Sequence, residues 1–134
     1  MAKIIDIEGI GPVYAAKFQE IGIRTVEALL KAGAEPKGRQ DLADQTGISR
    51  ELILEWVNHA DLYRIKGVAE EYSDLLEEAG VDTVVELATR NPENLYKKII
   101  ETNQEKKLVR RPPSQEMVED WITQAKDMPR AVFY

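Results

Sequence analysis

Apolar residues recur along this chain at helical intervals. Leu52, Ile53, Trp56, Val57 and Ala60 lie at i, i+1, i+4, i+5 and i+8, one face of a 3.6-residue period, which predicts an amphipathic helix with a buried stripe. No stretch alternates with period two for long enough to read as a strand, so the chain is expected to be all-α. Local signals punctuate the helices. Pro12 suits a first turn, and Gly22 sits where a left-handed residue would end that helix. Thr25 offers an N-cap oxygen to a helix from Val26 to about Ala32. Gly47 followed by Ser49 repeats the stop and start, Asn91-Pro92 ends one helix and begins another, and Ser114 caps a last helix through Trp121. Residues 109–113 and 128–134 read as an extended connector and a tail.

The same pattern occurs twice. At an offset of 58, Ile7-Glu8-Gly9-Ile10-Gly11-Pro12-Val13-Tyr14 falls on Ile65-Lys66-Gly67-Val68-Ala69-Glu70-Glu71-Tyr72, and the ungapped register carries Gly22, Thr25, Val26 and Leu29 onto Gly80, Thr83, Val84 and Leu87. At an offset of 65, Ser49, Glu51, Trp56 and Ala60 fall on Ser114, Glu116, Trp121 and Ala125. Two blocks in the same order mark a duplication. The second copy carries about seven extra residues between Leu87 and Ser114, around the polar run 102–107. The expected organisation is a single domain over 1–134, with repeat one at about 1–62, repeat two at about 62–128 and a tail at 129–134. A helix near 50–65 is shared between the repeats.

In Gly9-Ile10-Gly11-Pro12 two glycines flank an apolar residue between helical segments. The glycines permit backbone angles that a Cβ would block, and Ile10 can turn inward to pin the helices. The next helix then offers free N–H groups and its positive dipole end to an anion such as a phosphate. These residues, with Ala15 and the downstream Gly22-Ile23-Arg24-Thr25-Val26, resemble the helix-hairpin-helix superfamily. Over its full length, including residues 42–49, 56–62 and 91–95, the chain resembles an uncharacterised bacterial family of tandem helix-hairpin-helix proteins. The resemblance implies two SAM-like repeats packed as one compact helical domain. It also implies non-sequence-specific contact with DNA phosphates on the minor-groove side, with Gly9, Ile10, Gly11, Val13, Lys17 and Arg24 at the interface. Lys3 is a further candidate beside hairpin one. Hairpin two departs from the pattern: Ala69 replaces the second glycine, and Glu70-Glu71 bring like charge to the anion position, so it reads as a structural copy.

Composition qualifies this picture. A net charge of −6 is the opposite of what a dedicated nucleic-acid binder shows. Residues 1–40 hold six Lys/Arg against five Asp/Glu, whereas residues 61–95 hold three against nine. The one net-basic stretch, residues 97–111, holds six positive charges against two. Its Lys97, Lys98, Lys106, Lys107, Arg110 and Arg111 form a secondary basic patch or a solubilising loop.

With no cysteine and one histidine, the chain excludes disulfides and thiol nucleophiles and leaves no imidazole-rich metal set. His59, one turn from Trp56, reads as a surface or capping residue. Trp56 and Trp121 read as core anchors, and packing accounts for Tyr14 and Tyr72. Glu119 and Asp120 flank a core tryptophan without a matched base, so acid–base catalysis is not expected. The expectation is a non-enzymatic cytoplasmic protein with no cofactor, metal, membrane segment or small-molecule substrate. Two partner classes fit: DNA through its phosphate backbone, or a protein partner or self-association. The acidic total and the apolar tail Ala131-Val132-Phe133-Tyr134 favour the second, and the family resemblance favours the first, a binding module that meets DNA through hairpin one.

Overall fold

Capping and apolar spacing divide the chain into eight α-helices in the computed structural model, which describes residues 3–134 apart from the side chains of Ala69 and Glu70. A 3-10 turn (Ile4–Asp6) precedes α1 (Gly11–Glu20), α2 (Val26–Ala32), α3 (Pro36–Thr46) and α4 (Arg50–Leu62). These are followed by α5 (Ala69–Glu78), α6 (Val84–Ala88), α7 (Pro92–Lys106) and α8 (Gln115–Lys126). Among the described residues the extended pairing is an isolated antiparallel bridge, Lys3 to Thr25. The chain is all-helical.

The chain divides into two compact units. Unit 1 runs up to Asp61 and includes Ala131–Tyr134; unit 2 is Leu62–Arg130. Each has its own interior. Unit 1 buries Ile4, Ile7, Ile10, Phe18, Leu29, Ile53, Trp56 and Val57. Unit 2 buries a continuous cluster that includes Leu62, Ile65, Val68, Leu76, Leu87, Ile99, Trp121 and Ile122. Within unit 2, α8 packs on α6 and α7, and α5 on α7.

The offset of 58 in sequence is also an offset in hydrogen bonds. Ile7 N–H donates to Ile4 O at 3.2 Å and Ile10 N–H to Ile7 O at 3.1 Å; Ile65 donates to Leu62 at 3.1 Å and Val68 to Ile65 at 3.3 Å. After the first hairpin helix, Ile23 N–H reaches back to Phe18 O at 2.9 Å, as Val81 does to Leu76 at 2.9 Å. Thr25 Oγ1 accepts from Ala28 N–H at 3.1 Å and Thr83 Oγ1 from Glu86 N–H at 3.3 Å, so matched threonines start matched helices. Tyr14 lies 5.1 Å from the Trp56 ring and Tyr72 lies 5.3 Å from that of Trp121, tilted pairs worth about 0.5–1.5 kcal/mol beyond their burial.

Several boundaries differ from the sequence reading. The helix from Ser49 stops at Leu62, and Ile65 closes a turn instead of extending it. The last helix continues past Trp121 to Lys126, because Ile122 and Ala125 prolong its buried stripe. The polar run 102–107 is the end of α7, where Thr102 is buried and Lys107 adopts a left-handed cap with φ 53°. His59 is buried at 2% exposure, since it shares the inward side of α4 with Trp56 and Ala60. The tail is packed against unit 1, with Val132 buried.

Candidate nucleic-acid interface

Hairpin one places its two glycines under different constraints. Gly9 has φ +91°, and a Cβ there would stand 3.4 Å from Trp56 Nε1; the backbone passes over the indole edge. Gly11 has φ +61° with nothing within 4 Å of the Cβ direction, so conformation alone calls for glycine. Ile10 between them is buried, as its inward turn requires. Helix α1 then begins with Gly11 and Pro12 and with no side chain capping its N-terminus. By contrast α2, α6, α7 and α8 are capped by Thr25, Thr83, Asn91 and Ser114. The first turn of α1 also carries Val13, 70% exposed, an apolar side chain at an uncapped helix start.

The cationic candidates divide into two groups. Lys17 is one turn beyond Val13, and side chains at i and i+4 share a helix face and lean toward the N-terminus. Lys17 is half-buried there. Arg24 and Lys3 are joined through the backbone instead: Ile4 N–H donates to Arg24 O at 3.1 Å, and the Lys3–Thr25 bridge lies alongside. Both side chains are exposed. Acidic groups stand close by, since Asp6 Oδ2 accepts from Lys3 N–H at 3.3 Å and Glu8 occupies the turn itself.

Hairpin two keeps the packing glycine and changes its surroundings. Gly67 has φ +95°, and a Cβ would meet Trp121 Nε1 at 3.1 Å. Ala69 begins α5, again with no side-chain cap. Its side chain and that of Glu70, read above as blocking an anion, lie outside the described residues, while Glu71 is exposed. Gln124 clasps the turn, accepting from Lys66 N–H at 2.9 Å and donating to Lys66 O at 3.1 Å. The Tyr72 hydroxyl donates to Arg111 O at 3.1 Å, and burial, with Glu71 nearby, raises its pKa.

The basic stretch 97–111 belongs to unit 2, whereas hairpin one, Lys17 and Arg24 belong to unit 1. Nor is the stretch a single surface. Lys97 and Lys106 are nine positions apart on α7, about 180° around the helix. Lys106 pairs with Glu78, and that hydrogen bond, with further carboxylates at Glu105 and Asp74, raises its pKa. Lys98 lines a cleft with Arg90, Asn91 and Asn94. The start of α7 is closed by Asn91 Oδ1, which accepts from Asn94 N–H at 3.1 Å.

Sequence reasoning missed Arg39. It is buried at 6% exposure on α3; its Nη1 donates to Gly33 O at 2.8 Å and Ala34 O at 3.1 Å, and its Nη2 to Phe133 O at 2.7 Å. Burial lowers its pKa, and the nearby Arg50 acts in the same direction. The available signal was the pair Gly33 and Gly38 on either side of Pro36, a spacing that lets α3 close onto the end of α2. A Cβ on Gly38 would fall 2.2 Å from Ala32 O, and one on Gly33 2.5 Å from Val57 Cγ2.

No helix among the described residues is long and apolar enough to cross a membrane. Comparison with curated proteins and with solved structures finds no significant match. One family model does match, over residues 8–128, which takes in both hairpins and both tryptophan helices; the chain belongs to the family described as a domain of unknown function, DUF4332.

Proposed function

We propose that the chain is a non-enzymatic binding module of two tandem helix-hairpin-helix repeats that holds nucleic-acid phosphates at hairpin one. The observation that carries this reading is the start of α1: two left-handed glycines lead into a helix whose N-terminal N–H groups no side chain caps, with Val13 exposed beside them. Such a helix end favours an oxyanion through backbone donors and the dipole. Lys17, on the Val13 face, adds positive charge, as do Arg24 and Lys3, which the Lys3–Thr25 bridge brings alongside each other. Backbone-led contact of this kind reads phosphates and not bases, so little sequence preference is expected. The net charge of −6 keeps the affinity modest, and a small number of phosphate contacts gives it a moderate salt dependence.

Fluorescence anisotropy with duplex, junction and single-stranded DNA tests the proposal. A log–log salt slope of roughly −2 to −4 is expected, reflecting a few phosphate contacts. Lys17→Glu should weaken binding several-fold. Absence of binding to all three DNA forms at roughly 50 mM salt, where phosphate contacts are strongest, would overturn it.

A further inference from the structure

The segment Ala131–Tyr134 meets the rest of unit 1 as an extended peptide meets a receptor. Phe133 N–H donates to Ala34 O at 2.7 Å and its carbonyl accepts from Arg39 Nη2 at 2.7 Å, so both backbone groups of one residue are engaged, as in strand addition. The preceding side chain, Val132, is buried to 2% exposure, while Phe133 and Tyr134 remain 43% and 68% exposed. Tyr134 lies over the Arg39 guanidinium, 5.8 Å from ring centre to Cζ, and its hydroxyl donates to Asn58 Oδ1 at 3.2 Å. A cleft of about 310 Å³ is lined by Arg39 and Tyr134 together with Pro36, Arg50, Glu51 and Leu54.

The receptor side does not depend on the segment it holds. Two of the three Arg39 hydrogen bonds go to Gly33 and Ala34, carbonyls of the α2–α3 turn, and one goes to Phe133. The turn itself is set by the close approaches of Gly33 to Val57 and of Gly38 to Ala32. Without the segment, Arg39 would keep its two anchors and still present Nη2, a planar fork already aimed at a carbonyl. We propose that this groove is a preformed receptor for an extended Val-Phe-Tyr peptide and that residues 131–134 are its resident ligand, a strap exchangeable with the same segment of a second copy of the chain. A tethered ligand acts at an effective concentration of about millimolar, so the strap's own chain occupies the groove until it is weakened or the protein is concentrated.

The test empties the groove from the strap side. Val132→Asp places a charge at the buried anchor and leaves Arg39, Ala34 and Asn58 unchanged. A fluorescein-labelled peptide of residues 128–134 should bind the V132D chain saturably, and the unaltered chain at least about tenfold more weakly, because the tethered strap competes. Adding Arg39→Ala to V132D should abolish binding, and Arg39→Lys should weaken it several-fold because lysine lacks the fork. A peptide that itself carries V132D should not bind. The proposal is overturned if V132D keeps its helical circular dichroism yet takes up no peptide, or if R39A leaves binding unchanged. It is equally overturned if both V132D and a chain ending at Arg130 unfold, since the strap would then be core and not ligand.

Discussion

Gly9 and Gly67 answer the same demand in the two units, whereas Gly11 and Ala69 do not. The first pair has φ of +91° and +95°, each against a tryptophan Nε1; a Cβ on Gly67 would press on Trp121 at 3.1 Å, and one on Gly9 would just reach Trp56 at 3.4 Å. Gly11, with φ +61° in open space, has its counterpart in Ala69, which starts α5. The turn bonds Ile7 to Ile4 and Ile10 to Ile7 recur as Ile65 to Leu62 and Val68 to Ile65, so the second glycine is not required to close the turn. The second glycine stands at the start of α1, and that is where the two copies differ in residue type. The turn residues diverge as well: Glu8 stands against Lys66, and Gln124, which clasps Lys66, corresponds at the offset of 65 to the buried His59.

The packing glycines give the largest expected effect. Gly67→Ala combines a left-handed backbone with a 3.1 Å approach to Trp121 and should cost about 2–3 kcal/mol; Gly9→Ala, at 3.4 Å from Trp56, should cost about 1–2 kcal/mol. Urea denaturation followed by tryptophan fluorescence measures both, and for a chain of this size each kcal/mol corresponds to roughly 2–4 °C in Tm. If Gly67→Ala costs no more than Gly9→Ala, the closer indole contact adds nothing to the left-handed backbone, and the first half of the comparison fails.

Exchanging the second pair probes the other half. Gly11→Ala should cost about 1–2 kcal/mol through φ alone, since nothing crowds its Cβ direction. The reciprocal Ala69→Gly should cost only about 0.5–1 kcal/mol, through backbone entropy at a helix start. On the proposed function, Gly11→Ala also weakens DNA binding by more than its stability cost explains, because the α1 start closes toward the alanine-led geometry of α5. Equal costs and unchanged binding would make the two hairpins equivalent.

What could be read in the sequence was local. Thr25, Ser49, Thr83 and Ser114 each accept from the backbone N–H three residues on, and that chemistry is decided within one turn of chain. The stripes around Trp56 and Trp121 were legible for the same reason. Arg39 was not, because it looks like one more charge on the mixed helix Pro36–Thr46, and one of the three carbonyls it reaches lies 94 residues away. The tail reads as a free apolar segment until that partner is known. Lys106 reads as one more charge of the basic stretch 97–111 because its carboxylate partner Glu78 lies 28 positions earlier, on a different helix.

The smallest effect concerns that pair. Hydrogen bonding to Glu78, more than the added field of Glu105 and Asp74, raises the pKa of Lys106 above that of an ordinary lysine. A lysine with a raised folded-state pKa contributes its stability below the unfolded pKa, so any contribution is intact at neutral pH and disappears only in the alkaline range, as pH rises through the folded value. The ammonium is fully exposed, so its loss should move the unfolding midpoint little. Glu78→Gln should return the Lys106 titration toward ordinary lysine, as followed by side-chain NMR from neutral to alkaline pH. The same variant releases Lys106 to meet phosphate from unit 2. If hairpin one is the binding site, DNA affinity at neutral pH stays within about threefold of the parent chain. A larger rise would move the site to unit 2 and reverse the inequality drawn between the hairpins.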